Sequence, residues 1–205
     1  MEFRQLAARR RMTRTFAETA VLRQTLEAVV SCIRHAPSGA YAQGQRVVVV
    51  CDAARRAQIV QLAGDYGAWA RSAPAIAVVL GSEASYRDRF RYADDREGPW
   101  PVPYWYVDAG AALMLILLAA DDHGLGAGVF GLPLGRWEEL ADLIGVPPEV
   151  HVVALVALGY PAEDPTEAVT TSQLTAGRVP VRDRIHWDCW NDSARDRTVA
   201  MPFRR

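Results

Sequence analysis

The twelve residues from Ala109 to Ala120 are apolar except for Gly110, and a chain in water must cover most of such a surface to be stable. The run is shorter than the roughly 20 residues that span a bilayer, so it predicts a buried helix and no entry into a membrane. Asp108 stands where an N-cap would, and Gly124, Gly126 and Gly128 close the far end. The predicted helix therefore runs from Asp108 to Asp122 and is hydrophobic on nearly all sides.

Around it, helical and extended patterns alternate. Val21, Leu22, Leu26, Val29, Val30 and Ile33 share one helical face between Thr19 and Ala36, and Pro37 ends that segment. Short β-branched or apolar runs at Val47–Val50, Ile76–Leu80, Ala127–Phe130 and Val152–Leu158 predict strands, with helices over Ala53–Arg71 and Arg136–Ile144 between them. Such layering is α/β or α+β. From Ser82 to Tyr106 the chain turns polar and then aromatic, and PWPVPYWY predicts an ordered loop or lid. At 205 residues one domain is expected, over 1–190, followed by a polar tail over 191–205 with too few apolar residues to pack alone and the composition of a disordered end.

Composition narrows the function classes by exclusion. The formal net charge is -1, so no global field draws nucleic acid or a membrane surface. All 23 basic side chains are arginines, so a phosphate here is held by guanidinium groups or backbone N–H. Cys32, Cys51 and Cys189 form an odd, widely spaced set, which fits a reducing compartment better than a disulfide framework. The Arg-rich N-terminus has no apolar signal core, so a cytoplasmic setting is expected. His35, His123, His151 and His186 lack metal-ligand spacing. No Ser or Cys occupies a nucleophile turn and no acid pair has general acid/base spacing, so no metal is expected and no catalytic side chain is assigned.

Three stretches can carry chemistry. Arg9, Arg10, Arg11 and Arg14, around Met12 and Thr13, form either a phosphate cradle or a solvated basic turn. Ala36-Pro-Ser-Gly-Ala-Tyr-Ala-Gln43-Gly leaves a helix through small residues and enters a strand, as a ligand-touching loop or a plain connection. Gly124 to Gly131 is glycine-rich without dinucleotide or P-loop spacing, and helix termination explains it as well as cofactor binding does.

Taken in order, RRRMTRTF, APSGAYAQG, WPVPYWYVDAGAALMLILLAADDHGLGAGVFG and VALVALGYPAED resemble the signature blocks of the nitroreductase superfamily, over roughly Arg9 to Trp187. The resemblance implies an α+β fold in which a mixed sheet is flanked by helices and a long central helix lies at a homodimer interface. It implies FMN as cofactor, gripped at the phosphate and ribityl chain by Arg10, Arg11, Met12 and Arg14, and more loosely by Arg178. Pro37, Ser38, Gly39, Tyr41 and Gln43 would come from the partner subunit, and Gly128, Phe130 and Gly131 would approach the flavin ring. Met12 stands where many members have Ser, and Tyr41 where many have Asn, each removing a polar contact. The implied activity is electron transfer from NADH or NADPH to a small organic acceptor such as a nitroaromatic or quinone, with Tyr104 and Trp105 as an aromatic substrate wall. Alternatives are a specialised flavin dehydrogenase, a BluB-type flavin-fragmenting enzyme, or a non-catalytic FMN-binding or storage protein.

Overall fold

The structure, a computed structural model, describes residues 2–90, 102–162, 178–181 and 184–190. The chain divides into two compact units, Met1–Pro165 and Thr166–Arg205, where the sequence predicted one domain over 1–190. The predicted tail over 191–205 lies outside the described residues.

In the first unit, α1 (Phe3–Arg9) and α2 (Arg23–Val30) precede β1 (Gln45–Val50), α3 (Ala53–Ala63) and β2 (Ala75–Ser82). Then come α4 (Glu83–Phe90), α5 (Tyr104–Asp122), β3 (Gly126–Phe130), α6 (Trp137–Ile144) and β4 (Val150–Gly159). The described strands form a four-stranded sheet in the order β1-β2-β4-β3, with every pairing antiparallel. Period-two alternation divides β2 between two cores. Ile76, Val78 and Leu80 face α3 and α6 with Ile59, Leu140 and Leu155, while Ala75, Ala77 and Val79 face α2 and α5 with Leu26, Val29 and Ile116. Small side chains on the second face let α5 lie close to the sheet, which covers one side of the most apolar helix in the chain.

Three predicted boundaries move. The helix expected over Thr19–Ala36 is α-helical only from Arg23 to Val30 and tightens to a 3-10 turn over Ser31–His35. The one expected over Ala53–Arg71 stops at Gly64, whose φ of 52° and ψ of -134° leave the helical region, and short 3-10 turns follow. The predicted loop from Ser82 to Tyr106 contains α4 at one end and the first turn of α5 at the other, with 91–101 outside the described residues. Asp108 is thus no N-cap: α5 begins four residues earlier, directly after Pro103, and Asp108 is buried within it.

In the second unit the described residues include a stacked pair, His186 on Trp190 with ring centroids 4.2 Å apart, and an exposed Arg178.

Candidate functional site

The arginine-rich segment leaves α1 as an extended strand that is clasped to β3. Thr13 N–H donates to the Ala127 carbonyl at 2.9 Å, and the Thr13 side chain fills the space in front of Gly126. Further along, Ala17 N–H donates to Tyr160 O and Ala162 N–H to Thr15 O, each near 3 Å, so residues 13–17 cross the ends of β3 and β4. At the other end Arg9 reaches Asp121 on α5 with Nε to Oδ2 at 2.8 Å. Between these anchors the arginines take different roles. Arg11 folds back and donates Nη1 to the carbonyls of Ala8 and Arg9, capping α1. Its Nη1 is engaged there, turned back toward the end of α1. Arg10 has Nη1 buried without a hydrogen-bond partner, and Arg14 has no partner among the described residues. A buried guanidinium N–H left unpaired is costly, and an anion bound at Arg10 would relieve that cost with charge-assisted bonds. The donor set fits the phosphate of a mononucleotide.

A second cluster forms at the opposite end of α5. The loop Pro37–Gln43 is pinned by Gly39 N–H to Asp108 Oδ2 at 2.7 Å, by Gln43 N–H to Ser38 Oγ at 2.9 Å and by Gln45 Nε2 to Pro37 O at 2.9 Å. Ala40, Tyr41 and Gln43 all adopt positive φ, at 48°, 60° and 51°. Tyr41 is turned outward and 73% exposed. The same Asp108 oxygen accepts from the Tyr86 hydroxyl. Burial, then that bond to Asp108, holds the Tyr86 phenol well above its ordinary range.

Gly128 and Phe130 are accounted for inside the chain. A Cβ on Gly128 would meet Thr13 O at 2.2 Å and Trp69 Cη2 at 2.5 Å, so the glycine seats the arginine segment against β3. The Phe130 ring is buried edge-on against Trp69, with centroids 5.6 Å apart. Gly131 has open space, its nearest neighbour being Trp137 at 3.7 Å. Tyr104 covers Gly39 at 3.5 Å. Trp105 is no open substrate wall: at 7% exposure it packs with Tyr86, Tyr106 and His151. Tyr106, which the sequence reading passed over, borders a groove of about 730 Å³ with Trp137, Asp142, Pro147 and His151. His151 is oriented there by Glu83, with Nε2 and Oε2 2.9 Å apart.

One chain does not bring the two clusters together. Arg9 meets Asp121 and Gly39 meets Asp108, and thirteen residues of α-helix separate those contacts by about 20 Å.

The fold and this divided arrangement define a class: a helix-sheet-helix α+β protein with an arginine-rich segment at one sheet edge and a strained loop at the other. The nitroreductase family model matches residues 7–66 and 62–160, and the chain belongs to that family. A curated relative, the FMN reductase [NAD(P)H] of Bacillus subtilis (strain 168), is 27% identical over 158 residues, 75% of this chain. The matched stretch spans 63% of that relative's length. Among solved structures, the NADPH:FMN oxidoreductase from Vibrio harveyi complexed with NAD+ superposes with a TM-score of 0.73 at 22% identity, covering 92% of this chain and 77% of that one. A nitroreductase family protein from Streptococcus pneumoniae TIGR4 superposes with a TM-score of 0.72 at 20% identity, covering 90% and 99%. These structures share the fold.

Proposed function

We propose that this chain is an FMN-dependent oxidoreductase that takes electrons from NADH or NADPH and passes them to a small organic acceptor, a nitroaromatic or a quinone. The observation that carries the reading is the buried, unpartnered Nη1 of Arg10, in a segment held to β3 through Thr13. Family membership and the names of the Bacillus and Vibrio relatives support the choice of FMN and a nicotinamide donor.

The chemistry FMN supplies when bound is two-electron exchange, first with the nicotinamide and then with the acceptor. Arg10 and Arg14 would hold its phosphate, with Thr13 fixing the backbone between them. The backbone at Phe130 and Gly131, unobstructed by a side chain, would face the ring. No side chain need act as an acid or base for this exchange.

The working form is a homodimer in the cytoplasm. Val107 and Met114, 54% and 42% exposed, lie two turns apart on the uncovered face of α5, and a second copy packed there would remove that apolar surface from water. It would also carry its Pro37–Gln43 loop, with Ser38, Tyr41 and Gln43, toward the arginine cradle of the first.

The test is a purified, flavin-loaded protein reduced anaerobically by each nicotinamide and reoxidised by a panel of acceptors. One pocket used in turn by donor and acceptor gives parallel double-reciprocal lines. A colourless protein that cannot be reconstituted with FMN would overturn the reading.

A further inference from the structure

Asp108 poses a problem that the proposed chemistry does not solve. It is a carboxylate only 6% exposed, set in the most apolar helix of the chain between the sheet and the wall formed by Tyr86 and Trp105. Burying a polar group is costly unless it is hydrogen-bonded, and both of the donors to Asp108 come from elsewhere in the chain: the Tyr86 hydroxyl on α4 and the Gly39 N–H at 2.7 Å.

The loop it holds is strained. Ala40, Tyr41 and Gln43 occupy the left-handed region, where side chains other than glycine are uncommon. Such backbone persists where its surroundings over-determine it, and it concentrates at ligand clamps. Here Arg89 Nε donates to Ala40 O at 2.8 Å, and Ser38 Oγ closes the turn onto Gln43 N–H. Those tethers lie at the surface or within the loop. Asp108 reaches it from within α5. The result is a rigid loop presenting Tyr41 away from its own chain, preorganised for a contact that its own fold does not make.

The geometry points to Asp108 as a positioning residue of the flavin site, acting through Gly39 to hold Pro37–Gln43 in the conformation that meets the cofactor. This rests on the FMN reading above. Asp108 touches no cofactor itself; its role is to make the interface helix and the flavin-contacting loop move as one body.

The experiment measures two quantities on the intact protein: amide hydrogen exchange at residues 38–43 without cofactor, and the FMN dissociation constant by fluorescence quenching. Asp108→Ala is expected to speed exchange in that loop and to raise the dissociation constant tenfold or more, the scale of one lost hydrogen bond to a charged group. Asp108→Asn keeps one acceptor oxygen and is expected to recover most of both. If Asp108→Ala fails to fold, Tyr86→Phe, which removes only the second donor, carries the test with smaller changes of the same sign. Unchanged loop exchange in the variants would overturn the positioning role. Faster exchange with unaltered FMN affinity would overturn the assignment of the loop to the flavin site. A wild-type protein that binds no FMN would instead defeat the functional reading, while the exchange data still decide whether Asp108 holds the loop.

Discussion

Gly128→Ala and Gly131→Ala separate the requirements of the fold from those of the cofactor. A methyl at Gly128 would stand 2.2 Å from the Thr13 carbonyl oxygen and 2.5 and 2.7 Å from Trp69 ring carbons. None of these neighbours yields easily. The oxygen is backbone, its residue is bonded to Ala127 at 2.9 Å, and the indole is wedged between Phe16 and Phe130. Relief means lifting Thr13 from β3 by roughly 1 Å, at an overpacking cost of about 1–3 kcal/mol, with about 1 kcal/mol more if the Thr13–Ala127 bond breaks. For a chain of this size each kcal/mol lowers Tm by about 2–4 °C, so a fall on the order of 5–15 °C is expected. Arg14 moves with Thr13, so FMN affinity falls as well. At Gly131 the added methyl would meet only Trp137 at an ordinary 3.7 Å; the cofactor-free Tm should stay within about 1 °C, while FMN affinity falls because the methyl enters the space proposed for the ring. Calorimetry of the cofactor-free variants and an FMN titration read both quantities. A Gly128→Ala protein with wild-type Tm would refute the clasp, and a Gly131→Ala protein with wild-type affinity would move the ring elsewhere.

Arg14→Ala should weaken FMN binding about tenfold or more while Arg4→Ala, in the exposed α1, leaves it unchanged; equal affinities would place the phosphate at another site. Met114→Asp or Val107→Asp should shift sedimentation from dimer to monomer at low micromolar concentration, and an undisturbed dimer would remove α5 from the interface. Burial alone would raise the Glu83 carboxyl, but hydrogen bonds from His151 and Arg87 outweigh it and hold the group below its ordinary range. The resulting stability is complete above the unfolded carboxyl pKa of about 4.3 and is lost as pH falls through the lower folded value. Glu83→Gln should therefore lower Tm at pH 7, with the gap to wild type closing in acid; a gap constant from pH 7 to pH 3 would contradict this.

The elements were legible wherever a local pattern and a local cause coincide. The runs at Val47–Val50 and Ile76–Leu80 became the cores of β1 and β2 because β-branched and apolar stretches have little choice once both faces are covered. Asp108 was misplaced because an acidic residue before an apolar run looks the same whether it caps a helix or is buried in one. What decides is the pair of donors, 22 and 69 positions away, and no local window contains them. Gly128 shows a related limit. A glycine allows close approach, but only the three-dimensional register shows that Thr13 and Trp69 are what approaches.

One half of the proposed site, the arginine segment, lies within six residues of the chain, Arg9 to Arg14. The other half depends on strand order. The loop after α2 feeds β1, at one edge of the sheet, whereas the arginine segment runs along β3, at the other. With β2 and β4 between them, about 14 Å of sheet separates the two edge strands, and neither loop can cross it without breaking the ladder. In the proposed homodimer the two clusters would come from different copies, and the exposed stripe of α5 and the outward-facing Tyr41 would answer the same requirement. The two-fold relation that buries Val107 and Met114 would also bring a strained loop from one copy to the unpartnered arginines of the next.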